Sequence, residues 1–79
     1  MYYVYILRSV KDKSYYIGLT INLKNSIAQH NQHHSGYTST KAPYRLVWYS
    51  AFILKEKGLN FEKYLKSSSG FAFRNKHLI

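Results

Sequence analysis

Residues 15–30 read YYIGLTINLKNSIAQH. Tyr15 to Leu19 is rich in aromatic and β-branched residues, which favours a strand. Side chains alternate along a strand, so Tyr16 and Gly18 share one face and Tyr15, Ile17 and Leu19 the other. Asn22 then suits a helix N-cap, because its side chain can accept from free amides of the first turn. A helix follows over Leu23 to Gln32. Leu23, Ser26, Ile27 and His30 stand at i, i+3, i+4 and i+7, so they form one stripe. Leu23 and Ile27 are its apolar anchors, with Ser26 and His30 beside them.

Upstream, Tyr2 to Arg8 is a second aromatic and β-branched run. The polar link Val10–Ser14 joins the two runs into a hairpin. Tyr3 and Tyr5 share a face, and Val4 and Ile6 the opposite one. Downstream, His33 to Pro43 is polar and reads as a loop. Arg45 to Phe52 reads as a third strand and Lys55 to Lys66 as a second helix. Gly58 within that helix costs up to about 1 kcal/mol against Ala, so it weakens the helix or marks a close packing contact. Ser67 to Gly70 separates this helix from a final turn or short helix over Phe71 to His77, with Gly70 suited to a left-handed helix end. The order β-β-α-β-α-(α) makes an α+β fold, a small three-stranded, mostly antiparallel sheet flanked by helices. At 79 residues the chain is expected to be a single domain over residues 1–79.

Twelve Lys and Arg face only Asp12, Glu56 and Glu62, a formal charge of +9. Such a surface attracts polyanions, nucleic acid above all. Nine tyrosines add groups that can stack on bases or bond phosphates, although tyrosine is also an ordinary strand residue. The chain has no cysteine, which excludes a disulfide framework and a thiolate metal site. MYYVYILRSV lacks a basic leader and a cleavage site, and no apolar run approaches the roughly 18 residues of a membrane span. The expectation is a soluble, cytoplasmic protein.

Glu62 is the most informative residue of the second helix. Gly58, Phe61, Glu62 and Leu65 form an inward stripe, and an acid on its flank must pair, bind a cation or reach water. Among so many basic residues a salt bridge is the plain alternative to a metal site. A lone carboxylate can hold Mg²⁺ when waters and phosphate oxygens complete the octahedron.

Tyr3-Val4-Tyr5 followed by Tyr16-Ile17-Gly18 resembles the two tripeptides of the GIY-YIG endonucleases. The helix ending in His30-Asn31, the strand RLVWYSAF, the segment Glu62–Lys66 and the tail SSSGFAFRNKH follow in the order of the small standalone bacterial members. The resemblance covers essentially the whole chain and implies a DNA endonuclease using one divalent ion, Mg²⁺ or Mn²⁺. It places Tyr5 and Tyr16 at the attacking water, one as general base and one positioning water or phosphate, with Tyr3 in support. A phenol serves as a base only if helped toward the phenolate, since its free pKa is near 10. The resemblance makes Gly18 the residue that leaves the strand end open to substrate, Glu62 the metal ligand, and His30 a phosphate donor or proton relay. Asn75 is a weaker match to a polar residue behind the site. Read without the family, Tyr5 and Tyr16 are equally ordinary strand packing and His30 a surface helix histidine.

One position departs from the family. An arginine is expected one turn before His30, and Ser26 stands there; Asn25 replaces a second basic residue, and Leu19 a lysine found in some relatives. Losing such an electrostatic group costs on the order of a hundred- to a thousandfold in rate. Two functions follow: a weakened metal-dependent endonuclease gripping DNA phosphates with low sequence specificity, or an inactive module that binds nucleic acid or a protein partner. Retention of Tyr5, Tyr16, His30 and Glu62 beside one lost arginine points to a recent or an engineered loss.

Overall fold

The computed structural model describes residues 1–32 and 43–79. The loop expected over His33 to Pro43 lies, except for Pro43, outside them. Strands β1 (Tyr2–Ser9), β2 (Tyr15–Thr20) and β3 (Tyr44–Phe52) and helices α1 (Leu23–Asn31), α2 (Lys55–Leu65) and α3 (Ser68–His77) follow in the order β1-β2-α1-β3-α2-α3. The sheet order is β2-β1-β3, with both pairings antiparallel.

The alternation in β1 divides the interior in two. Val4 and Ile6 point to one face and pack with Ile17 and Leu65, surrounded by Trp48, Phe52, Phe61 and Phe73. Tyr5 and Leu7 point to the other and pack with Tyr44, Tyr16 and the α1 anchors Leu23 and Ile27. The second strand obeys the same rule, with Tyr16 on the α1 side and Tyr15, Ile17 and Leu19 on the α2–α3 side. Asn22 caps α1 as expected, its Oδ1 accepting from Asn25 N at 3.0 Å.

The third strand carries a register shift. Ile6 pairs with Trp48 but Leu7 pairs with Leu46, so Val47 is an extra residue. A bulge of this kind reverses the face of everything beyond it. Trp48 therefore faces α2, while Tyr44, an even number of residues away, joins the α1 face.

Gly58 marks a close contact: a Cβ there would meet Leu19 Cδ1 at 3.1 Å and Tyr2 Cβ at 3.7 Å. At the C-terminal end the fold corrects the expectation. Ser67 does not belong to a separator but caps a full ten-residue helix, its Oγ accepting from Gly70 N at 3.1 Å. Gly70 lies in the first turn of α3, and no glycine among the described residues has positive φ. Its missing side chain has a packing reason, because a Cβ would run into the Tyr64 carbonyl. No helix of the described residues is long and apolar enough to cross a membrane.

Candidate active site

Three of the sequence-derived residues meet on the α1 face. Tyr5 comes from the middle of β1, Tyr16 from β2 and His30 from the last turn of α1. Tyr5 Oη lies 3.1 Å from His30 Nε2; the phenol donates when the imidazole carries its proton on Nδ1. The His30 ring stands 4.6 Å from that of Tyr16 and 6.1 Å from those of Tyr5 and Tyr44. Tyr5 is only 4% exposed and His30 only 7%.

Burial sets the protonation of both groups. Desolvation pushes the Tyr5 phenol well above its ordinary range, and the nearby Tyr16 and Glu62 raise it further because negative charge beside a phenolate is unfavourable. Desolvation lowers the His30 pKa, which keeps the imidazole neutral at physiological pH. The pair is thus a neutral phenol hydrogen-bonded to a neutral imidazole.

Gly18 lies against the tyrosine cluster. It pairs with Tyr5 across the sheet, and a Cβ there would stand 2.5 Å from the Tyr5 phenol oxygen and 3.1 Å from Tyr16 Cε1. The bare backbone of Gly18 leaves room for the Tyr5 ring.

Ser26 is half-buried, and its hydroxyl donates to Thr20 Oγ1 at 2.5 Å. Thr20 Oγ1 also accepts from Asn22 N at 3.1 Å. Ser26 is therefore tied into the turn that launches α1.

Glu62 comes from α2, across the sheet, yet is close enough to act on Tyr5. Its Oε2 pairs with Lys66 Nζ at 3.0 Å, one turn along the helix. The salt bridge weighed from sequence is present. No group of three or more His, Cys, Asp and Glu is placed to hold a metal among the described residues. A single half-buried carboxylate suits a hard divalent ion that keeps most of its water.

Tyr3 sits on the same face as Tyr5 but packs with Tyr49, ring centroids 6.2 Å apart. Asn75 is exposed on α3. Sequence reading missed two contributors. Tyr44, 4% exposed, closes the His30 side of the cluster. Asn31 fixes it there, accepting from Tyr44 N at 2.6 Å and donating to Tyr44 O at 3.2 Å. The only signal for this pair was an Asn at the helix end and a Tyr just before a strand; the bulge that aims Tyr44 is invisible in one sequence.

The chain belongs to a nuclease-type family, that of the GIY-YIG catalytic domain, whose model matches residues 1–76. Within that family it is similar to the small standalone UPF0213 proteins of bacteria. A UPF0213 protein of Clostridium perfringens is 40% identical over 67 residues, covering 84% of this chain and 71% of that one. Another, from Streptococcus pneumoniae, is 35% identical over 65 residues, covering 81% of this chain. The match spans 65% of that relative's length, a little under two thirds. The solution NMR structure of a UPF0213 protein from Bacillus halodurans superposes with a TM-score of 0.57 at 34% identity, covering 96% of this chain and 84% of that one.

Proposed function

We propose that the protein is a phosphodiester hydrolase acting on DNA with one divalent ion, Mg²⁺ or Mn²⁺, whose rate is strongly reduced by Ser26. The observation that carries this reading is the buried Tyr5–His30 hydrogen bond, flanked by Tyr16 and within electrostatic reach of Glu62.

The chain's own groups have separable tasks. Tyr5 is held protonated, so it cannot simply take a proton from an attacking water. It can take one only while passing its own to His30 Nε2, so phenol and imidazole act as one relay. His30 begins neutral and can accept that proton. Tyr16, beside both rings, positions the water or the phosphate. Glu62 would hold the divalent ion, which supplies Lewis-acid polarisation of the phosphodiester. Positive charge there would also reverse the contribution by which Glu62 opposes ionisation of Tyr5.

What is lacking on α1 is the group that neutralises charge growing on the phosphate. A serine carries no charge, is shorter than a guanidinium, and here spends its hydroxyl on Thr20. The basic surface supplies a salt-sensitive grip on DNA without marked sequence preference. The protein is expected to act in the cytoplasm, as a single domain.

The test is nicking of supercoiled plasmid and of branched DNA with Mg²⁺ or Mn²⁺. Ser26→Arg is expected to raise the rate by on the order of a hundredfold, and Ser26→Arg/Glu62→Ala to abolish it. If neither the native chain nor Ser26→Arg cuts while both bind DNA, the nuclease reading fails and the chain is a binding module.

A further inference from the structure

Arg74 is the one Lys or Arg among the described residues that the fold buries, at 8% exposure. Its guanidinium lies 4.6 Å from the Phe71 ring centroid and 5.2 Å from that of Tyr15. Stacking satisfies the faces of a guanidinium but not its five N–H donors, which lie in its plane. Among the described residues no carboxylate pairs with it, and its Nε has no hydrogen-bond partner. A buried N–H without an acceptor is costly, and an anion reaching the guanidinium would relieve that cost.

The surroundings fit that anion. Arg74 lines a cleft of about 430 Å³ between β2 and the α2–α3 pair, together with Tyr15, Tyr16, Leu65, Lys66 and Phe71. No acid among the described residues lines it. Tyr16 belongs also to the Tyr5–His30 cluster, and Lys66 is the partner of Glu62, so the cleft adjoins the candidate active site. A second guanidinium, that of Arg8, lies 5.5 Å from the ring centroid of the same Tyr15. Arg8 in turn stands directly opposite Arg45 on β3. Like charges opposite one another destabilise a sheet, so this row carries a cost that a bound polyanion would relieve. Phe71, 54% exposed beside Arg74, offers a face on which a base can stack.

We propose that this cleft is a nucleic-acid subsite: Arg74 and Lys66 hold a backbone phosphate next to the one to be cleaved, Phe71 stacks on its base, and the nucleic-acid strand leaves along Arg8 and Arg45. The subsite rests on the reading of the protein as one that acts on nucleic acid, but it requires no cleavage.

It is tested by fluorescence anisotropy of a labelled single-stranded oligonucleotide in EDTA, between about 50 and 200 mM salt. Arg74→Met keeps the apolar stem over the two rings and removes the charge. It is expected to weaken binding about tenfold and to reduce the slope of log K against log salt by about one. Arg74→Lys is expected to restore the slope but only part of the affinity, since lysine does not make the planar stack. Lys57→Gln, the same charge change at an exposed site on α2, should change affinity far less. Backbone amide shifts of the unaltered protein should move at Tyr15, Phe71 and Arg74 on adding the oligonucleotide, a readout that does not depend on a variant folding. Unchanged binding in Arg74→Met, an equal loss in Lys57→Gln, or shifts confined to α1 would overturn the subsite. Arg74-dependent binding with no cutting by Ser26→Arg would uphold the subsite while sinking the nuclease reading. Cutting that is indifferent to Arg74 would do the reverse.

Discussion

The two faces of the sheet are built to different specifications. On the α2–α3 side Val4, Ile6 and Leu65 are almost completely buried among aliphatic and aromatic side chains, with Arg74 at the margin of this core. On the α1 side the buried set includes two tyrosines and a histidine, all with polar atoms that need partners. One helix covers this side where two cover the other. By its more complete apolar burial the first face is expected to supply most of the stability. The second spends apolar area on a hydrogen-bonded cluster whose protonation states are set by burial. The same strand, β1, serves both because its residues alternate.

This contrast is broken most forcefully in the apolar core. Leu65→Ala should cost about 2–5 kcal/mol in denaturant unfolding, because a fully buried leucine leaves a cavity as well as losing transfer energy. Ile27→Ala on the half-buried α1 stripe should cost clearly less. Equal losses would show that the two faces are equivalent in energy and that the contrast is wrong.

A smaller effect sharpens the role of the slot opposite Tyr5. Gly18→Ala places a methyl against the phenol and should destabilise by about 1–3 kcal/mol. Adding Tyr5→Leu, which vacates the slot, should make the added methyl cheaper, seen as a coupling in a double-mutant cycle. Strictly additive effects would mean that Gly18 is there for another reason.

The smallest effect concerns pH. His30 in the fold has a pKa below its ordinary value near 6.5, so the unfolded chain binds its proton first as pH falls. The stability linked to a neutral His30 is fully present above that ordinary value and is lost progressively as the solution is acidified toward the lowered one. The melting temperature should therefore drop between about pH 7 and pH 5, and drop less in His30→Gln. Parallel curves for the two proteins would place the sensitivity elsewhere.

How much of this is legible in the sequence varies with the physics involved. Strand alternation is local and rigid, so the opposed faces of Tyr5 and Val4, and of Tyr16 and Ile17, follow from position alone. Asn22 as a cap follows from the reach of its side chain to a nearby amide. Ser67 offers the same signal, but Gly70 three residues later reads more readily as a helix end than as a glycine required by close approach to Tyr64. Tyr44 precedes the strand that the sequence suggests, and even inside it would be assigned to the wrong face. Arg74 looks like any other basic residue in a basic chain.

The sequence by itself determined the order of elements, the two faces of the hairpin and the stripe that carries Ser26 and His30, because these depend on contacts among near neighbours and on fixed periodicities. The tertiary structure alone decided what each stripe meets. A bulge at Val47 turned Tyr44 toward His30. Cross-strand register put Gly18 under the Tyr5 ring. The packing of α3 buried one arginine between two aromatic rings. Each of these is a meeting of residues brought together by how whole elements pack, and not by any local preference.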